Sequence, residues 1–411
     1  MSGKSKSTKK YGLVFSKVRV TIFLVICAIM AATLPFSKFL ENNVISLFVD
    51  AEQVTDYTTA LDKDFVVHFV DVGQGDCIML ELPDGTKGII DAGDNKTESE
   101  THLVEYAKNY IFENDTSLTF DFLIATHADA DHIGGLDVVF ENFQVNKVYR
   151  PMTFYINEKS TATDDQKALT EAEKLLAKEQ GISGEIDEHN QKSTKVLYEF
   201  ISLANAEPNC EIVFSEDGHI IEDTTTGYKL QFYGPIDQTY SDVNDYSPVI
   251  VCSYKGYSIA LTGDAETEAE TDLVRDYNLP NVDALKLGHH GSRTSTTQAF
   301  LEEIDPEMVF ICVGEGNKYN HPHQEVLDRV AAYGIDKVYR TDLFGDILFA
   351  IGQDAEGNYG MFTANTNEMI IVSVFHWWEV VVGVILIAFF LCFSTTKALE
   401  KEAKKQIKKR L

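Results

Sequence analysis

A chain of 411 residues that is 44% hydrophobic can bury one large core or two smaller ones, which excludes a disordered or disulfide-stapled miniprotein. Its formal charge of −29 argues against a surface made to attract polyanions. The six cysteines show neither CxxC nor zinc-finger spacing, so Cys77, Cys210, Cys252 and Cys312 read as small buried hydrophobes.

Residues 1–19 form a basic tail holding Lys4, Lys6, Lys9, Lys10, Lys17 and Arg19. Residues 20–36 follow as an uncharged apolar run of 17 residues, the short end of a membrane-spanning helix. A cleaved signal peptide is the alternative for this run. Residues 37–63 read as a spacer, with an apolar stretch over 44–49. Near the other end, residues 377–393 form a second apolar run whose single charge is Glu379, after Trp377 and Trp378. Residues 394–411 are again basic, with Lys401, Lys404, Lys405, Lys408, Lys409 and Arg410. A basic tail outside each of two single transmembrane helices places both termini in the cytoplasm and the middle of the chain outside it. The tails carry +6 and +5 and the second run one glutamate, which leaves −39 on the section between the spans.

From about residue 64 to 366 the pattern is that of one α/β domain. VVHFVDVGQGD (66–76) is a strand entering a Gly-rich turn, and residues 77–94 form a hairpin closed by Pro83-Asp84-Gly85. Helices are expected over 101–111 and after Ile133. A charged, motif-free insertion at about 155–210 carries helices over 169–180 and 195–203, as a lid over the core. Strands return at 210–214, 228–233, 249–253 and 257–261, followed by βα units at 284–287, 308–313 and 337–339.

The chemistry concentrates at strand ends. ATHADADHIGGLD (125–137) places His127, Asp129, Asp131 and His132 between a buried strand and the start of a helix. An apolar strand ends in Asp264, another in His289 and His290, and NKYNHPH brings His321 after a third. IIDAGD supplies Asp91 and Asp94. Taken singly these are capping or turn residues. Taken together they converge on the rim where α/β folds build their sites.

HFVDVGQGD, IIDAGD, THADADHIGG, LTGDAE, LKLGHHGS and NKYNHPH, in this order over roughly residues 65–350, resemble the metallo-β-lactamase superfamily. Within it they are most similar to the extracytoplasmic domain of ComEC-type competence proteins, without the multi-span channel of those proteins. The resemblance implies an αββα metallo-β-lactamase sandwich with two divalent metal ions, Zn2+ or Mn2+, along one edge. It implies metal ligands among His127, Asp129, Asp131, His132, Asp264, His289 and His321, with Asp264 bridging and Asp129 and His290 in catalysis. His289 and His290 match the place where relatives have a ligand or proton donor, His321 matches the late histidine of the second metal position, and which of the three touches metal stays open. No histidine matches the superfamily's third motif. Asp76 reads as a supporting group or a turn residue, and Asp91 as a structural carboxylate.

Two ions sharing a water would lower its pKa and clamp the attacked centre, so the expectation is a membrane-anchored hydrolase. Its expected substrates are small or polymeric phosphodiesters. Cell-envelope phosphoesters, esters or lactones are the alternative, and a metal-stabilised binding ectodomain is the reading of a different class. Long DNA is disfavoured by the acidic middle section, although a basic patch around Lys286 and Arg293 is expected to accept one phosphate.

Overall fold

In a computed structural model the described residues are 11–13, 17–33, 57–113, 115–181, 186, 188–237, 239–366, 381–382, 384–389 and 394–396. The chain divides into two compact units, residues 1–53 with 369–411, and residues 54–368. In the first unit the strand Tyr11–Leu13 pairs antiparallel with Ser394–Thr396, and Lys17–Thr33 is helical. The edge of the Phe23 ring meets Phe389 at 5.8 Å between centroids. Among the described residues no helix is long and apolar enough to cross a membrane, and residues 34–36 of the first expected span lie outside them. The spacer up to residue 56, residues 377–380 and 390–393 of the second run, and most of both tails lie outside the described residues.

The second unit is built on two sheets. One has eight strands in the order Glu211–Phe214, Lys147–Arg150, Phe122–Ile124, Lys87–Ile90, Ile78–Glu81, Phe65–Phe69, Ile347–Gln353 and Tyr359–Asn365. Its first three pairings are parallel and the rest antiparallel. The other has seven strands in the order Ile220–Asp223, Tyr228–Tyr233, Val249–Tyr254, Tyr257–Leu261, Ala284–Lys286, Met308–Ile311 and Lys337–Arg340. Its first three pairings are antiparallel and its last three parallel. In both sheets strands adjacent in the chain give most antiparallel pairs, the distant strands Phe65–Phe69 and Ile347–Gln353 give another, and helical crossovers give the parallel part.

Aromatic rings join the facing sheets. Phe69 stacks on Phe310 at 4.6 Å, Phe310 meets Phe349 edge-on at 5.9 Å, and Phe65 stacks on Tyr254 at 6.1 Å. Every residue of Phe65–Phe69 is buried, as a strand between two packed layers must be. Helices cover the outer faces. Leu103, Leu136, Leu197 and Phe200 pack on one sheet, and Leu273, Phe300, Leu301 and Val326 on the other. This is the α/β sandwich of four layers that the motifs implied.

The helices of the expected insertion run over Asp164–Glu179 and Lys195–Ala206. Thr163 starts the first with a capping box to Gln166, and Thr194 caps the second. The segment is tied down by a buried ion pair. Arg150, at the end of a sheet strand, donates to both oxygens of Glu173 at 3.0 and 2.8 Å, and each side chain is 3% exposed. Glu173 also accepts from the Tyr155 amide at 3.2 Å. A buried pair of this kind holds position because neither charge tolerates losing the other. Glu173→Ala is therefore expected to destabilise the protein by about 3–5 kcal/mol in urea unfolding, and a cost below about 1 kcal/mol would contradict this account.

Candidate metal centre

The carboxyl ends of the parallel strands meet at one edge of the sandwich. Ile90 leads to Asp91, Ile124 to the loop holding His127–His132, Leu261 to Asp264, Lys286 to the paired histidines, and Ile311 towards His321. The turn Gly73–Asp76 closes onto this edge, where the Asp76 amide donates to Asp131 O at 3.2 Å. A Cβ on Gly75 would stand 2.2 Å from that same carbonyl, so only glycine lets the two loops meet. His289 and His290 both have left-handed backbone, φ 45° and 53°, which turns their side chains inward from a short loop.

Asp76, His132, Asp264 and His290 each offer one ligand atom, all within 4.8 Å of one another and all buried. Each is aimed by a second group. Asp91 accepts His132 Nδ1 at 2.7 Å and is itself fixed by the Thr126 amide and hydroxyl at 2.9 and 2.6 Å. Its structural role thus follows from geometry. His132 Nε2 is left facing Asp264 Oδ2 at 3.1 Å. His290 Nδ1 donates to Cys312 O at 2.8 Å, and its Nε2 lies 3.4 Å from Asp264 Oδ2 and 3.5 Å from Asp131 Oδ2. Asp76 Oδ2 pairs with Lys286 Nζ at 2.5 Å, and that ammonium also donates to Gly263 O at 2.7 Å.

The other expected residues surround this group. His127 is fully buried, with Nδ1 bonded to Thr126 at 3.1 Å and Ser247 at 3.2 Å. Asp131 borders the group at its more open side. His289 sits further out, 3.8 Å from Asp264, with Nδ1 on Glu266 Oε1 at 2.5 Å. The ring of His321 lies 5.2 Å from His289 and 6.2 Å from His290. Asp129 Oδ1 accepts from Lys192 Nζ at 2.6 Å. The expected basic patch does not form. Lys286 is fully buried on Asp76, whereas Arg293 is exposed and faces Glu325 at 3.7 Å.

Sequence reasoning missed Ser247 altogether and gave Asp76 only a supporting or turn role. Asp76 stands in the ligand group itself, and its position after a Gly-rich turn gave only an ambiguous signal. Ser247 links His127 to the Asp264 amide, which donates to its hydroxyl at 3.2 Å, and nothing in its sequence context marks it.

The electrostatics are those of a site made for a cation. Burial opposes charge on His132, yet Asp264 and Asp91 outweigh it and hold its pKa well above the ordinary value. The same contest leaves His290 raised to about 9, with Asp264 and Asp131 against burial. Burial would raise Asp264, but His132, His290 and His289 hold it well below the usual carboxylate range. Burial together with His132 lowers His127 to about 4, and burial with His289 lowers His321 to about 4. Asp76 Oδ1, His132 Nε2, Asp264 Oδ1, His290 Nε2 and His127 Nε2 are buried without a hydrogen-bond partner. Buried polar atoms normally have partners, so five unpaired ones at one edge fit a metal ion. Two carboxylates and two imidazoles suit zinc or a harder divalent ion.

The description of the metallo-beta-lactamase superfamily matches residues 70–314. ComE operon protein 3 of Bacillus subtilis is 29% identical over 301 residues, 70% of this chain and 33% of that protein. Competence protein ComA of Neisseria gonorrhoeae is 39% identical over 129 residues, 31% of this chain and 18% of that protein. The chain thus spans a third or less of these curated relatives. The solved metallo-beta-lactamase fold protein YhfI from Bacillus subtilis aligns with a TM-score of 0.38 and 9% identity, covering 72% of this chain and 100% of that one.

One buried carboxylate anchors the histidine loop. Glu270, 2% exposed on the helix Thr267–Asp276, accepts the Thr296 amide at 2.5 Å and the Thr297 amide at 2.7 Å. Burial raises its pKa to about 7 against those bonds and Arg329. A carboxyl raised on folding stabilises the fold when protonated, and that contribution is lost as pH rises from about 4.5 through 7. Between pH 5 and 8 the wild type should therefore lose roughly 1–3 kcal/mol relative to Glu270→Gln in paired urea melts. A difference independent of pH would refute the shift.

Proposed function

We propose, because this chain belongs to the metallo-β-lactamase superfamily, that its 54–368 unit is a metal-dependent hydrolase acting on phosphodiesters. The observation that carries the reading is the set of unpaired, buried ligand atoms of Asp76, His132, Asp264 and His290 at the strand ends. These four would hold the ion. A divalent ion supplies a Lewis acid there and brings the pKa of a water towards neutrality.

The remaining work falls to the protein. Asp91 keeps the proton of His132 on Nδ1, so Nε2 presents its lone pair to the centre. Lys286 neutralises one oxygen of Asp76 and so keeps a buried carboxylate from repelling Asp264. His289, a quarter exposed and oriented by Glu266, stands where Nε2 can give a proton to a departing alkoxide or phenoxide. Burial disfavours its charge, but Asp264 and Glu266 raise its pKa, which favours the proton-bearing form.

The charge distribution narrows the substrate. A middle section at −39 repels a long polyanion, while the positive charge of the centre is felt by a short diester inside the cleft. The chain's setting is part of the same proposal. The basic tails beside two apolar runs support a protein anchored in the cell membrane, with both termini cytoplasmic and this unit outside. In the helix Lys17–Thr33 the side chains of Leu24, Val25 and Ile29 are more than half exposed, as lipid-facing residues would be.

Bis-p-nitrophenyl phosphate with added Mn2+ or Zn2+ is the direct test. Turnover is expected, falling at least about 10³-fold in Asp264→Ala with far-UV circular dichroism unchanged. Duplex DNA should be cut poorly at low salt, and efficient cleavage that salt inhibits would overturn the charge argument. A metal-loaded protein inert on phosphodiesters, esters and lactones alike would leave a binding domain in place of an enzyme.

A further inference from the structure

A second set of ligand-type atoms adjoins the four-residue group. His127 Nε2 is buried without a partner, and its ring is 4.1 Å from that of His132. Asp264 Oδ1 is buried and equally unpaired by hydrogen bonds. Asp129 lies on the same loop, but its Oδ1 is held by Lys192 Nζ at 2.6 Å. Lys192 belongs to the inserted segment, in the short strand Gln191–Lys192 that pairs parallel with Phe154–Tyr155. The segment that covers the core therefore delivers an ammonium to the one carboxylate in this second set that the first does not share.

We propose that Lys192 stands in the charge position of a second metal ion. The centre then binds one divalent ion tightly, at Asp76, His132, Asp264 and His290, and Lys192 excludes another from His127 and Asp129. The reasoning is electrostatic. The pair neutralises Asp129, which removes the attraction for a cation, and the ammonium repels any divalent ion arriving beside it. The proposal rests on the metal-centre reading above and departs from the two ions that the motifs implied.

Calorimetric titration of the chelator-stripped full chain with Mn2+, with elemental analysis after gel filtration, decides it. One equivalent is expected in the wild type, and Asp129→Ala should retain it within about threefold in affinity, whereas His132→Ala should weaken it about 100-fold. Lys192→Ala should gain a second equivalent, about tenfold or more weaker than the first, and Lys192→Met, which keeps the aliphatic stem, should behave alike. Adding Asp129→Ala to either should restore a single equivalent. Two equivalents in the wild type, or one in both Lys192 variants, would overturn the proposal. A wild type that binds no ion would overturn it together with the metal centre, whereas one bound ion without hydrolysis would count only against the enzymatic reading.

Discussion

Asp264 carries its carboxylate into the interior with His132, His290 and His289 turned towards it and the Lys286 ammonium behind. Charge in such a place survives only when it is answered from several directions, because burial alone would neutralise the group. The rest of the edge can be read as the supply of those answers. Parallel strands end together there, and each loop brings one charged or ligating group to the common point. The antiparallel parts contribute Asp76, from the turn between Phe65–Phe69 and Ile78–Glu81, and their Phe69 and Phe349 rings meet Phe310 of the facing sheet.

The supporting shell shows how much of the protein is committed to orientation. Asp91 has a left-handed backbone, φ 55°, and spends both oxygens on Thr126 and His132. Ser247 reaches His127 from a loop 120 residues away in sequence and accepts the Asp264 amide. Glu270 and Arg329 fix the far side of the histidine loop from two different helices, Arg329 donating to the carbonyls of Ser295 and Thr296. Backbone in unfavourable conformations persists only under such constraint, which explains why the left-handed pair at 289 and 290 lies where these bonds are densest.

Much of this was legible beforehand, for identifiable reasons. The strand Tyr228–Tyr233 stands out by the alternation of Lys229 and Gln231 with apolar residues, and Tyr257–Leu261 by its apolar end, each between turn residues. His132, Asp264 and His290 were legible because charge at the end of an apolar strand is costly without a purpose. Asp76 was harder, since an aspartate after Gly-Gln-Gly suits a turn equally well. The strands Ile347–Gln353 and Tyr359–Asn365 and the short Lys147–Arg150 passed unmarked, the first and last because distant partners decide their pairing. Ser247 and Lys192 illustrate the same limit more sharply. A hydroxyl and a surface-type lysine acquire meaning only when tertiary folding brings them to His127 and Asp129. Lys286 runs the other way: a lysine after an apolar strand suggests solvent, and only the structure reveals its burial beside Asp76.

The inserted segment has a consequence beyond its cover of the core. It is fastened to the sheet strand by the Arg150–Glu173 pair, its helix Lys195–Ala206 packs on the helix Ala130–Ile133, and Lys192 reaches Asp129. Because Leu197 and Phe200 of that helix pack on the sheet, the part free to vary is the stretch around the strand Gln191–Lys192. Lengthening, shortening or exchanging this stretch would alter the charge presented at the rim while the two sheets and their strand ends kept their geometry. The architecture therefore separates what evolution must preserve from what it can retune, with a few residues of the insertion acting as the adjustable element.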